Sequence, residues 1–332
     1  MVESQTQSAD ELKVGGGVRL SRRVSAARGR PVTLRERLEF GLVWLLVNGL
    51  GALPRGLARA IGAGIGAVAF ALLGRLRKSG LRNLELAYPE WSAAKREKTL
   101  RLVYRNLGYQ LAEFCLMDRY CAGHASRFIE YDGLQNYLAA RERGKGVLVL
   151  TGHLGAWELS SFYHSLMGYP MGLVIRRLDN PLVDEFVNRI RCLHGNRVIH
   201  KDDFARGLIS SMRAGETVGI LMDTNMTPPQ GVFVPFFGVE ACTASGLARV
   251  ALKTDAAVLP GFLLWDEARG KYVLRFGERI ELIRTGDVAE DVVANTAEFA
   301  AVTERYIREH PEQWLWMHRR WKTRPAGEAG IY

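Results

Sequence analysis

VLVLTGHLGAWELSS, residues 147–161, reads as a strand that bends through two glycines into a helix. VLVL is a short aliphatic run of the kind a sheet buries when both its faces are covered. Gly152 and Gly155 let the chain turn sharply, and helical spacing takes over from about residue 155 to 167. The unit repeats downstream. MGLVI (171–175) is a strand, and PLVDEFVNRIRCLHG is a helix with Pro181 at its start and Gly195 at its end. NRVIH is a strand, 203–214 a helix, TVGILM (217–222) a strand and TASGLARVALKT (243–254) a helix. AAVLPGFLLW and KYVLRF are further strands, and 287–310 is a last helix. Strands alternating with helices predict an α/β fold with a largely parallel central sheet flanked by helices. In such sheets ligands bind at the carboxyl ends of the strands.

The residues before this region have another character. The first 37 are basic and rich in Gly, Ala and Ser, and are expected to be a disordered tail. FGLVWLLVNGLGAL (40–53) and AIGAGIGAVAFALLG (60–74) carry no charge. Each is shorter than the ~20 residues that span a bilayer core, and Pro54, Arg55 and Arg59 separate them. A membrane-embedded or interfacial helical hairpin over 38–82 is expected, with Arg35 and Arg37 before it and Arg75, Arg77, Lys78 and Arg82 behind. A buried core hairpin would share the same pattern. Residues 83–118 read as helical, with Ser92 as an N-cap. The domain reading is a tail (1–37), a membrane-associated hairpin (38–82), a catalytic α/β domain (83–325) and a short C-terminal tail (326–332).

The 332 residues are 48% hydrophobic and 24% charged, enough for a sizeable core. A net charge of +10 favours anionic partners. Cys115, Cys121, Cys192 and Cys242 are scattered without zinc spacing and read as free thiols, so no metal site is expected. There is no G-x-S-x-G elbow and no P-loop.

The polar residues at strand ends carry the chemistry. His153 lies just past the first strand of the α/β region, with Glu158 five residues on. In a continuous helix the two would lie about 140° apart, so a catalytic pair needs the glycine bend. A carboxylate on one ring nitrogen would leave the other to take a hydroxyl proton. The alternative is a histidine and a dipole-favoured glutamate exposed at a helix start. IRRLDNP (175–181) places Arg176 and Arg177 where they could clamp a phosphate, with Asn180 opening the next helix. A solvated basic turn is the plainer reading. MDTNMTPPQGVFVPFFG (222–238) puts Asp223 at another strand end, and Phe236, Phe237 and Gly238 in an apolar loop able to line a hydrocarbon groove or simply to fill core. HPEQWLWMHRRWKTRP (310–325), dense in Trp and Arg, suits a membrane interface, an anionic headgroup or nucleic acid, but RNA-binding aromatic motifs are absent. His318 within it reads as structural.

TGHLGAWE, RRLDNPLVDEFVNRIR, MDTNMTPPQGVFVPFFG and PEQWLWMHRRWKTRP, in this order, resemble the bacterial lipid A late acyltransferases, the lauroyl/myristoyl branch of the lysophospholipid acyltransferase superfamily. The resemblance runs over roughly residues 38–325. It implies an inner-membrane protein with its catalytic domain on the cytoplasmic face. It also implies acyl transfer from acyl carrier protein to a hydroxyl of an anionic glycolipid, a lipid A precursor, without cofactor or metal and without nucleic acid. By the resemblance His153 is the general base, Glu158 its partner, Arg176 a phosphate or site-organising arginine, and Asp223 an acidic residue at the active-site rim. Asn225 stands where the family often has a second acidic residue, and Arg177 where it often has proline or lysine. Another glycolipid or lysophospholipid acceptor, such as a phosphatidylinositol mannoside, or a non-catalytic peripheral lipid-binding role, fits the same residues.

Overall fold

The computed structural model describes residues 30–200 and 204–332. The expected disordered tail falls outside the described residues as far as position 29. Four helices open the described chain: α1 (Leu34–Gly51), α2 (Arg55–Leu72), α3 (Gly74–Ala87) and α4 (Ala93–Leu116). Thr33 and Glu36 start α1 with a capping box, and Ser92 caps α4 by accepting from the Lys95 N–H.

The two uncharged runs form α1 and α2, but α2 packs along α4 instead of forming a self-contained hairpin. Ala58, Gly62, Gly66 and Phe70, four apart, make the buried stripe of α2. A Cβ at Gly62 would lie 2.2 Å from the Gly108 carbonyl oxygen, and one at Gly66 2.2 Å from that of Tyr104. Only glycine permits this approach of two backbones. Arg55 and Arg59, which interrupt the apolar sequence, turn inward. Both reach the fully buried Glu113 of α4, at 2.6 and 2.5 Å. The Tyr120 hydroxyl donates to the same carboxylate at 2.6 Å, and Arg59 also reaches the Tyr272 hydroxyl at 2.9 Å. A buried carboxylate needs such partners to stay ionised. The outward faces remain apolar: Leu42 and Leu45 on α1, and Leu57, Ile61 and Val68 on α2, are exposed. Among the described residues α2 is one helix long and apolar enough to cross a membrane by length and composition.

The rest is the expected α/β fold. After a short helix α5 (Ala122–Ala125) come β1 (Ile129–Asp132), α6 (Leu134–Glu142), β2 (Val147–Thr151), α7 (Trp157–Leu166), β3 (Gly172–Ile175) and α8 (Pro181–Arg191). Then follow β4 (Arg197–His200), α9 (Phe204–Arg213), β5 (Thr217–Leu221), β6 (Gly231–Phe236), β7 (Val239–Ala244), α10 (Gly246–Thr254), β8 (Ala257–Asp266), β9 (Lys271–Phe276) and α11 (Val288–Glu309). Seven strands form one sheet in the order β1-β9-β8-β2-β5-β3-β4. β8, β2, β5, β3 and β4 are mutually parallel, while β9 returns antiparallel to β8 and pairs with β1. β2 occupies the middle and is buried from Val147 to Leu150, as a strand covered on both faces must be.

VFVPFFG is not a loop. It is β6 of a separate antiparallel hairpin with β7, turning at Phe237 and Gly238, whose φ values are 54° and 73°. Two consecutive positive φ values are what a tight hairpin turn requires. Phe236 and Phe237 face inward and pack with Trp314, Trp316, Trp321 and Tyr88. The expected groove-lining role of Phe236 and Phe237 is therefore replaced by a core role, and Gly238 serves the turn. The tryptophans of the C-terminal stretch are likewise buried in this cluster and not laid out on a surface.

Candidate active site

The register of β2 against β5 builds the site. Thr151 stands opposite Leu221, each the last residue of its strand. His153 and Asp223 both lie two residues further on, so parallel neighbours deliver them side by side at the carboxyl edge of the sheet. The His153 Nδ1 is 2.9 Å from Asp223 Oδ1, and the His153 backbone N–H donates to Asp223 Oδ2 at 2.7 Å. The Trp314 indole N–H donates to the same Oδ2 at 2.8 Å. The Asp223 side chain is 2% exposed and that of His153 26% exposed. Burial pushes the Asp223 carboxyl up, but the positive charge of His153 and the hydrogen bonds from His153 and Trp314 outweigh it and hold the group at about 2. The aspartate is thus ionised at neutral pH and fixes the orientation of the imidazole through Nδ1.

The glycines behave as the sequence requires. Gly155 has φ +63°, and a Cβ there would meet the Leu263 carbonyl oxygen at 2.0 Å. At Gly152 a Cβ would crowd the Asp223 carboxyl carbon at 3.0 Å. The bend is further pinned by the Gly155 N–H on the Gln313 carbonyl and by the Leu315 N–H on the His153 carbonyl, at 3.1 and 3.0 Å. The His153 and Gly155 N–H groups, candidates for stabilising an oxyanion, are thus already engaged within the fold.

Glu158 is not the carboxylate on His153. It sits in the first turn of α7, and both its oxygens are taken by Arg191 from α8, one through Nε at 2.8 Å. The reason is topological. The bend turns Glu158 toward α8, where a planar guanidinium meets it two-pronged, whereas Asp223 arrives beside His153 from the neighbouring strand. Glu158, Arg191, Trp157 and Ile175 line a narrow cleft of about 60 Å³ over the sheet, and the Trp157 ring also meets that of His153 edge-on at a centroid distance of 5.2 Å.

Two other expected site residues are engaged elsewhere. Arg176 forms an exposed pair with Asp179 at 3.2 Å. Asn180 caps α8 by accepting from the Leu182 and Val183 N–H groups, and its amide donates to the Glu36 carbonyl and to Glu39 on α1. Sequence reading missed three contributors: Trp314, Gln313 and Arg320. Gln313 ties the bend to β8 through the Trp265 N–H and carbonyl, both at 2.9 Å. Arg320 is fully buried and donates to the Cys242 carbonyl at 2.9 Å. Burial, partly offset by the Asp223 charge, pulls its guanidinium down to about 10. The clue was PEQWLWMHRRW itself, whose polar groups need partners once its tryptophans are buried. The His318 Nε2 accepts from the Asn225 N–H at 2.9 Å. Among the described residues no group of three or more His, Cys, Asp or Glu is placed to hold a metal ion.

Comparison with known proteins places the chain. The family model for bacterial lipid A biosynthesis acyltransferases matches residues 33–323. The lipid A biosynthesis palmitoleoyltransferase of Escherichia coli K12 is 29% identical over 293 residues, 88% of this chain and 92% of the relative. The lauroyltransferase of the same organism is 29% identical over 298 residues, covering 89% and 94%. Its myristoyltransferase is 24% identical over 263 residues, covering 78% and 80%. The chain belongs to the bacterial lipid A biosynthesis acyltransferase family.

Proposed function

We propose that this acyltransferase moves a fatty acyl chain from the thioester of acyl carrier protein to a hydroxyl of a lipid A precursor, with His153 as general base oriented by Asp223. The observation that carries the reading is the hydrogen-bonded His153–Asp223–Trp314 chain at the carboxyl edge of the sheet. The acceptor hydroxyl gives its proton to His153 Nε2 as its oxygen attacks the thioester carbonyl. The imidazolium that forms is stabilised by the ionised, buried Asp223. Collapse of the tetrahedral intermediate breaks the C–S bond, and the imidazolium returns its proton to the leaving thiolate. The substrate supplies the nucleophile, so no acyl-enzyme is needed.

The apolar outer faces of α1 and α2 support attachment to a membrane. The inner face of α2 is committed to the rest of the protein through Gly62, Gly66, Arg55 and Arg59, and that of α1 buries Val47, Leu50 and Gly51. That commitment favours helices lying in the lipid interface over a clean span, with the catalytic sheet on the cytoplasmic face of the inner membrane. The net charge of +10 suits an acidic carrier protein and an anionic glycolipid. Mass spectrometry of lipid A from cells with and without the protein tests the reading. A difference of one acyl chain supports it, and unchanged lipid A refutes the lipid A acceptor in favour of another lipid.

A further inference from the structure

A groove of about 850 Å³ runs between α2, the start of α3, the middle of α4 and the segment from Leu315 to Lys322. The volume is that of a lipid- or drug-sized ligand site. Ile65, Leu107, Leu111 and Leu315 give it apolar walls. Arg75, Arg319 and Lys322 also line it. These three form no ion pair among the described residues. Arg319 has only the Ser79 hydroxyl at 3.4 Å and the Tyr332 ring. Three uncompensated cations beside an apolar trough match an amphiphile with a phosphate and a hydrocarbon chain.

Two features say where that amphiphile comes from and where it leads. The groove's outer wall is α2, whose neighbouring Ile61 and Val68 are exposed and apolar, so the groove opens at the edge proposed to meet lipid. Its floor holds Asn225 and His318, hydrogen-bonded to one another. Asn225 lies two residues past Asp223, and the Leu315 N–H donates to the His153 carbonyl at 3.0 Å. A ligand entering from the membrane edge is therefore led toward the segments that carry His153 and Asp223.

Resting on the proposed acyl transfer, we infer that this groove is the acceptor site: it takes a phosphorylated, acylated glycolipid, with a chain along the α2–α4 wall, the phosphate on Arg75, Arg319 and Lys322, and the hydroxyl presented to His153. The phosphate contact expected of Arg176 is assigned here instead.

The test uses the full-length enzyme in detergent with phosphorylated lipid A precursor and the same lipid treated with phosphatase. Arg75→Glu and Lys322→Glu, both exposed, are combined to limit effects on folding. The double variant is expected to raise KM for the phosphorylated acceptor at least tenfold, with kcat within about threefold and KM for acyl carrier protein unchanged. KM for the dephosphorylated acceptor should not rise. Equal changes for both acceptors, or a change confined to the carrier protein, would overturn the assignment. Equilibrium binding of the phosphorylated precursor, read by tryptophan fluorescence, decides the question without turnover. Weaker binding by the double variant supports the site, and equal binding refutes it. Competition by phosphatidylglycerol vesicles as strong as that by the precursor would assign the groove to bulk phospholipid and refute the acceptor role. If the precursor binds through these cations but no acyl chain is transferred, the proposed function fails while the site stands.

Discussion

Asp223→Asn separates the two carboxylates that could orient His153. Asp223 receives two N–H donors on Oδ2, from the His153 backbone and the Trp314 indole, and the ring Nδ1 on Oδ1. An asparagine keeps the shape but has one acceptor oxygen. Two fixed donors converge where Oδ2 stands, so the amide oxygen must take that place. The NH₂ group then faces Nδ1 and forces it to accept. The ring proton moves to Nε2, and the base nitrogen is lost. The same substitution in serine–histidine–aspartate triads costs about 10⁴ in kcat. Here kcat should fall about 10³- to 10⁴-fold, or roughly 4–5.5 kcal/mol of transition-state stabilisation. KM and membrane binding should change little. The assay is acyl transfer from acyl carrier protein to a lipid A precursor in mixed micelles, across a pH series. Glu158→Gln, which disturbs the Arg191 pair and not the imidazole, should cost less than about tenfold in kcat, the scale of a lost positioning contact. If Asp223→Asn keeps more than a tenth of the wild-type kcat while Glu158→Gln abolishes turnover, the working enzyme pairs His153 with Glu158 and Asp223 does not orient the base.

Gly155→Ala places a methyl 2.0 Å from the Leu263 carbonyl at a positive φ and should destabilise the fold by at least about 2 kcal/mol, read from the denaturant midpoint; a wild-type midpoint would contradict the bend. Glu113→Gln leaves Arg55 and Arg59 without their buried counterion and should cost about 3–5 kcal/mol in chemical unfolding, with no loss if the pairs are dispensable. His164 is buried against Tyr131 and Tyr137, and burial, with the charge of Arg141 second, pushes it down to about 3. Its unfolded form takes up a proton near pH 6.5 while the folded form does not, so stability is complete above pH 6.5 and declines toward pH 3, by about 5 kcal/mol from this residue. His164→Phe should flatten that part of the stability–pH curve, and an unaltered slope would mean the histidine does not titrate this way.

The sequence alone determined a good deal. Alternation of VLVL, MGLVI, NRVIH and TVGILM with helical runs is a local pattern, because burial on both faces of a parallel sheet and the period of a helix are each written in nearest neighbours. The glycine bend and the place of His153 just past a strand end were legible for the same reason, and so were the caps at Ser92 and Asn180. The family was legible in the order of four motifs. What the sequence could not supply was lateral order. Asp223 lies 70 residues from His153, and only the pairing of β2 with β5 makes them neighbours. Sequence proximity favoured Glu158, whose direction was decided by the packing of α7 on α8 and by Arg191. The hairpin of Phe236 and Phe237 and the buried tryptophans of the last segment were hidden similarly. Aromatic residues read alike whether they face a ligand, a membrane or one another, and only the tertiary fold chooses. The two arginines between the apolar runs show the rule most plainly. In the chain they interrupt a membrane-like stretch, while in three dimensions Glu113 turns them inward and leaves the outer faces of α1 and α2 apolar.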